Sequence, residues 1–90
     1  MAMTTFLKDP DSTLDYTLDW SAWLQGDTIT SSTWTVPAGL TQESAANTTT
    51  TATIWLSGGT AGKDYVVTNS IVTTAGRIED RSIRIRVIQR

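Results

Sequence analysis

The chain of 90 residues contains no histidine and no cysteine, a single phenylalanine and two prolines. Without cysteine there is no disulfide framework and no thiolate metal site. Without histidine the commonest metal ligand and the commonest general base are both missing. Most enzyme classes lose their usual parts. No apolar run approaches the roughly 18 residues that span a bilayer. The start MAMTTFLKDPD also lacks the basic segment and apolar stretch of a secretory signal. The expectation is a chain made in a cytoplasm that stays soluble, with no membrane partner. A pI near 4.7 gives no indication of nucleic acid binding.

What is present is tryptophan, with three of the four packed into DWSAWLQGDTITSSTW as Trp20, Trp23 and Trp34. A chain of this length makes one domain, because a compact core needs roughly 50 to 150 residues. That core has little margin, and each buried tryptophan removes about 150–250 Å² from water. The reading is a core cluster closing one end of the domain. Three exposed indoles would instead invite aggregation.

Strand signals recur along the chain. LDYTLDW alternates, with Leu14, Tyr16, Leu18 and Trp20 on one face and Asp15, Thr17 and Asp19 on the other. SAWLQGD reads as a turn or one helical turn led by Ser21. TITSSTWTV is a β-branched strand stopped by Pro37 and Gly39. LTQESAA is a third, exposed strand and TTTTATIWL a fourth, whose buried side is ambiguous between Ile54 and Trp55. DYVVTNSIVTT and RSIRIRVI complete the set, with GRIED as the hairpin loop between them. Six to seven short strands without helical periodicity predict an all-β, antiparallel β-sandwich of two sheets. Residues 13–90 form that single domain. Residues 1–12, detached by Pro10, form an arm or extension that docks on a neighbour or across the domain's own open end.

No arrangement for chemistry survives inspection, and no cofactor or metal is expected. SGGTAGK fails the phosphate-loop pattern at Ser57 and Asp64 and leads into a strand rather than a helix. Asp9, Asp11 and Asp15 lack the glycine turn and closing glutamate of a calcium loop. Asp15 and Asp19 sit about 13 Å apart along a strand, too far to share a proton. Asn47 heads a glycosylation sequon, which is a chance match without a secretory route. Tyr65, at the head of a strand, fits a tyrosine corner, with a plain strand tyrosine as the alternative.

Charge is uneven. Residues 1–62 carry a net −5 and residues 63–90 a net +3, so the halves face each other or complement a neighbouring copy. Arg84, Arg86 and Arg90 form a basic stripe on the final strand. They either pair with Asp15 and Asp19, if first and last strands lie side by side, or meet another subunit. The candidate partner interface is therefore Phe6, Leu7, Trp55, Arg84, Arg86 and Arg90.

The DW-WL-GDTI block, the WLSGG turn and the AGR-x-x-DRS link of Ala75, Gly76, Arg77, Asp80, Arg81 and Ser82 resemble small structural proteins of tailed-phage and prophage genomes, the fiber-tail adaptor proteins. The resemblance covers nearly the whole chain. It implies an immunoglobulin-like module, made in the bacterial host cytoplasm and present in many copies in the virion. Its partners would be tail, fiber or capsid subunits. The role it implies is a non-enzymatic adaptor joining tail and fiber. A capsid decoration protein is the alternative. A carbohydrate-binding module with Trp55 and Trp23 as stacking platforms is a more distant one.

Overall fold

The structure, a computed structural model, describes residues 4–89. Its elements in order are β1 (Thr4–Lys8), β2 (Leu14–Asp19), α1 (Ser21–Leu24), β3 (Ile29–Thr35), β4 (Leu40–Asn47), β5 (Thr51–Gly58), β6 (Asp64–Thr73) and β7 (Ile78–Val87). They form two sheets, ordered β1-β7-β6-β3 and β2-β5-β4. Every pairing is antiparallel except β1 with β7, which is parallel.

Alternation explains which faces meet. Tyr16 and Leu18 of β2, Ala52, Ile54 and Leu56 of β5, Tyr65, Val67 and Ile71 of β6, and Ile83, Ile85 and Val87 of β7 are all buried between the layers. Burying each aliphatic side chain of this kind contributes roughly 1.5–3 kcal/mol. The ambiguity in β5 is thereby resolved: Ile54 points in, and Trp55, 42% exposed, points out. Trp20 closes the core as expected, fully buried, with Trp23 edge-on to it at 5.4 Å. Trp34 is half-buried against the same cluster.

Two local readings change. The hairpin between β6 and β7 is tighter than GRIED, because Thr73 and Arg77 already bond across it at 2.9 Å and Gly76 turns with φ +88°. Ile78, Glu79 and Asp80 therefore join the ladder opposite Val72, Ile71 and Ser70. Their charges face solvent and do not oppose strand formation. The helical turn begins at Ser21 as expected, but its cap position is Trp20 without a side-chain bond, and the Asp19 carboxylate accepts the Ser21 N–H at 2.9 Å.

Of the two placements open to the N-terminal extension, on a neighbour or on its own domain, its described strand takes the second. Thr4–Lys8 is the edge strand β1, with Phe6 opposite Ile85 and Leu7 opposite Arg86. Pro10 does not detach it from the sandwich. Pro10 sits in a turn closed by the Ser12 N–H on the Asp9 carbonyl at 3.1 Å, with Asp11 N–H on the Asp9 carboxylate at 2.8 Å. This Asx-type turn carries the chain from one sheet to the other.

Tyr65 does form the corner. Its phenol oxygen accepts the Thr60 N–H, five residues upstream, at 3.0 Å. Gly39 makes room for the ring: its φ is +105°, and a Cβ there would stand 2.8 Å from Tyr65 Cε1. Gly39→Ala combines backbone strain with a ring clash and is expected to cost roughly 1–3 kcal/mol. Tyr65→Phe, which removes only the oxygen, is expected to cost about 1 kcal/mol. Urea denaturation midpoints of the two variants check the order.

Candidate protein-protein interface

The outer face of the four-stranded sheet gathers three of the six predicted interface residues. Leu7 of β1 lies opposite Arg86 of β7, and Thr5 lies opposite Arg84. On the other flank Arg84 faces Val66 of β6 and Arg86 faces Asp64. Leu7 is 44% and Val66 46% exposed. Two apolar side chains thus flank two guanidinium groups on one sheet face, a composition suited to protein contact. Val66 was missed by the sequence reading, although its place between inward Tyr65 and Val67 signalled an outward side chain.

The other predicted residues separate from this patch. Phe6 points inward and is half-buried, its ring 5.2 Å from that of Tyr16, so it serves the core. Trp55 is exposed, but on the opposite sheet, between Asp15 of β2 and Ser44 of β4. Arg90 lies outside the described residues. The suggested pairing of Asp15 and Asp19 with Arg84 and Arg86 does not occur. β2 belongs to the other sheet, and it is β1 that flanks β7. Arg86 instead pairs with Asp64, Nε to Oδ1 at 3.0 Å.

The motif arginines do something different. Arg77 Cζ stands 4.3 Å from the Trp23 ring centroid and Arg81 Cζ 4.1 Å from that of Trp20. Arg77 also donates to the Leu24 carbonyl at 2.8 Å, capping α1, and pairs with Asp27 at 3.1 Å. Arg81 reaches the Asp19 carbonyl at 3.2 Å. The strands run together here as well, with the Thr74 N–H on the Thr28 carbonyl at 2.9 Å. The DW-WL-GDTI block and the AGR-x-x-DRS link are therefore two halves of one interlocked end, held by cation–π contacts and carbonyl capping. Trp23 is covered by Arg77 and offers no open stacking platform; Trp55 does.

Three carboxylates carry the acid sensitivity of these contacts. The Thr73 hydroxyl, with Thr28, Arg77 and Ala75, holds Asp27 below its ordinary value. The Ser21 N–H and hydroxyl do so for Asp19, and the Arg86 guanidinium for Asp64. A carboxylate with a lowered folded pKa leaves the native state with fewer bound protons than the unfolded chain. Its contribution is then present above the ordinary 3.8 and is lost as pH falls through the lowered value. Melting temperature is expected to fall progressively below about pH 4, and Asp27→Asn to flatten that fall. Thermal melts from pH 7 to 2 test this; equal slopes would contradict it.

Among the described residues no group of three or more acidic side chains gathers to hold a metal ion. No described helix is long and apolar enough to cross a membrane.

Residues 8–86 match the family model described as Podophage GP4 fiber-tail adaptor protein gp77. Comparison with curated proteins finds no match. Among solved structures, the solution structure of the PKD domain from KIAA 1837 protein is similar, with a TM-score of 0.57 and 22% identity. That likeness covers 97% of this chain and 80% of the other. It concerns the fold alone, an all-β, immunoglobulin-like sandwich.

Proposed function

The chain belongs to the podophage fiber-tail adaptor family, and from that premise we propose that it is a non-enzymatic subunit of a tailed-phage virion that joins tail and fiber. It is made in the host cytoplasm and works only through contacts with other virion proteins. The observation that carries this reading is the family match over residues 8–86, which runs from the last residue of β1 almost to the end of β7.

The geometry supports contact rather than chemistry. A two-sheet sandwich 42 Å long and 19 Å thick presents two broad faces, one from each sheet. Such a body holds more than one neighbour at once without changing shape. Its Leu7, Val66, Arg84 and Arg86 patch is the face on which a neighbouring subunit docks.

Gold-labelled antibody against the protein, imaged on whole particles, is expected to mark the tail at the fiber attachment region. Particles assembled without the protein should have full heads and no fibers. Label over the head shell, or fibers on particles lacking the protein, would overturn the adaptor reading and favour capsid decoration.

A further inference from the structure

We propose that the docking patch on the four-stranded sheet receives a second copy of this chain, which presents the outer face of its three-stranded sheet with Trp55 at the centre.

The two faces are complementary in charge. β2, β5 and β4 contain no lysine or arginine, and they carry Asp15, Asp19 and Glu43. Asp15 stands directly beside Trp55 on that outer face. The facing patch offers Arg84 and Arg86, and the two arginines are not equivalent. Arg86 is engaged with Asp64. Arg84 has no carboxylate within ion-pair distance among the described residues. A guanidinium with no ion pair among the described residues thus matches an indole with an adjacent carboxylate on the other face.

The fold itself shows how such parts combine. At the interlocked end, Arg77 and Arg81 each lie over an indole, and Arg77 also grips Asp27. Trp55 beside Asp15 repeats the indole and acid of that arrangement, but no described guanidinium covers it. Arg84 of a second copy supplies the missing cation. Val66 beside it and Leu7 beside neighbouring Arg86 supply apolar surface for the indole, an arrangement of aromatic anchor and arginine typical of contacts that carry most of an interface's affinity. The broad face, 42 by 26 Å, is large enough for the roughly 800 Å² per partner that a stable contact buries.

Because the two surfaces lie on opposite sides of one sandwich, the contact is head-to-tail rather than two-fold. Each added copy leaves one of each face open, so the product is a ring if the rotation closes and a stack if it does not. The ends of the sandwich stay free for tail and fiber. The inference rests on the patch being a subunit contact. It does not depend on where in the particle the protein sits, so sedimentation and particle labelling fail independently.

Sedimentation velocity on the purified full chain, from micromolar to about half-millimolar, tests it. Wild type is expected to associate with rising concentration. Arg84→Glu and Asp15→Lys are each expected to associate at least about tenfold more weakly, because each sets like charges against each other. An equimolar mixture of the two variants should regain association, since every contact between unlike copies then pairs opposite charges. Trp55→Ala should stay monomeric. All three positions are on the surface, so unchanged thermal melts confirm folding. A wild type that stays monomeric throughout, or variants that associate as wild type does, or a mixture that shows no rescue, would overturn the proposal.

Discussion

Replacing Trp20 with alanine is expected to lower stability by about 3–5 kcal/mol, a large share of the roughly 5–15 kcal/mol that a domain possesses. In a chain of this size that corresponds to a fall in melting temperature on the order of 15–30 °C. Three contributions add up. The indole is fully buried at the closed end of the core, so its removal leaves a cavity under Trp23 and Arg81. Its Nε1–H donates to the Oδ1 of Asn69 at 3.0 Å. Asn69, itself fully buried, donates in turn to the Ser32 hydroxyl at 2.8 Å and the Thr33 carbonyl at 3.0 Å.

This chain of bonds links the end of β2 in one sheet to β6 and β3 in the other. It lies between the second and sixth strands, where disulfide-bonded immunoglobulin domains place their covalent bridge. A cysteine-free chain makes the link with an indole and an amide. Asn69→Leu should therefore cost about 1–3 kcal/mol, by stranding the indole N–H. The double variant should cost less than the sum of the two, with a coupling of about 1 kcal/mol or more. Denaturant titrations of the cycle decide the matter. A Trp20→Ala loss below about 1.5 kcal/mol, the range of ordinary single substitutions, would show that the ring is not the closure of the core.

The patterns that were legible in the sequence were those with a single physical reading. Ile83, Ile85 and Val87 alternate with arginines, and only one face of that strand can be buried. In β5 alternation alone was undecided, since both Ile54 and Trp55 are apolar; only packing against β2 and the other sheet chose Ile54. Arg84 and Arg86 were found as an outward stripe by the same period. Their neighbours were not found, because which strand flanks β7 depends on topology, and the parallel pairing of β1 leaves no short-range signature. Arg77 looked like a loop charge and Arg81 like the head of the last strand, yet they cover indoles more than fifty residues earlier in the chain. A cation drawn to a ring that distant cannot be read from its local sequence.

Lys8 carries this lesson furthest, because by composition it is a surface cation on a polar terminus and in the fold it is fully buried. It follows Phe6 on the inward face of β1, opposite Val87. Its ammonium donates to the carbonyls of Asp9 at 2.9 Å, Ser12 at 2.6 Å and Gly58 at 2.7 Å. Three donors meet three acceptors, so the charge is fully solvated by backbone. Burial nevertheless pushes its pKa below the ordinary lysine value, with Asp9 and Asp11 opposing. The side chain pins three things together: the end of β1, the turn into β2 and the last residue of β5 in the other sheet.

Lys8→Met keeps the apolar stem and deletes the head. The Asp9 carbonyl still accepts from the Ser12 N–H and hydroxyl, but the Ser12 and Gly58 carbonyls each lose a charge-assisted bond, at about 1–3 kcal/mol apiece. The expected total is about 2–6 kcal/mol. Lys8→Arg should not restore it, since a planar fork with five donors cannot match three converging carbonyls. The loss should appear first at the edge. β1 pairs only with β7, so it can peel away while the remaining strands stay paired. Hydrogen exchange reads this directly at the Ile88 amide, which bonds to the Lys8 carbonyl at 2.9 Å. Its protection should fall by at least about tenfold in Lys8→Met, while amides in the β6–β7 ladder exchange only with global unfolding. Unchanged Ile88 protection together with a wild-type melting point would mean that the buried ammonium does not hold the first strand in place.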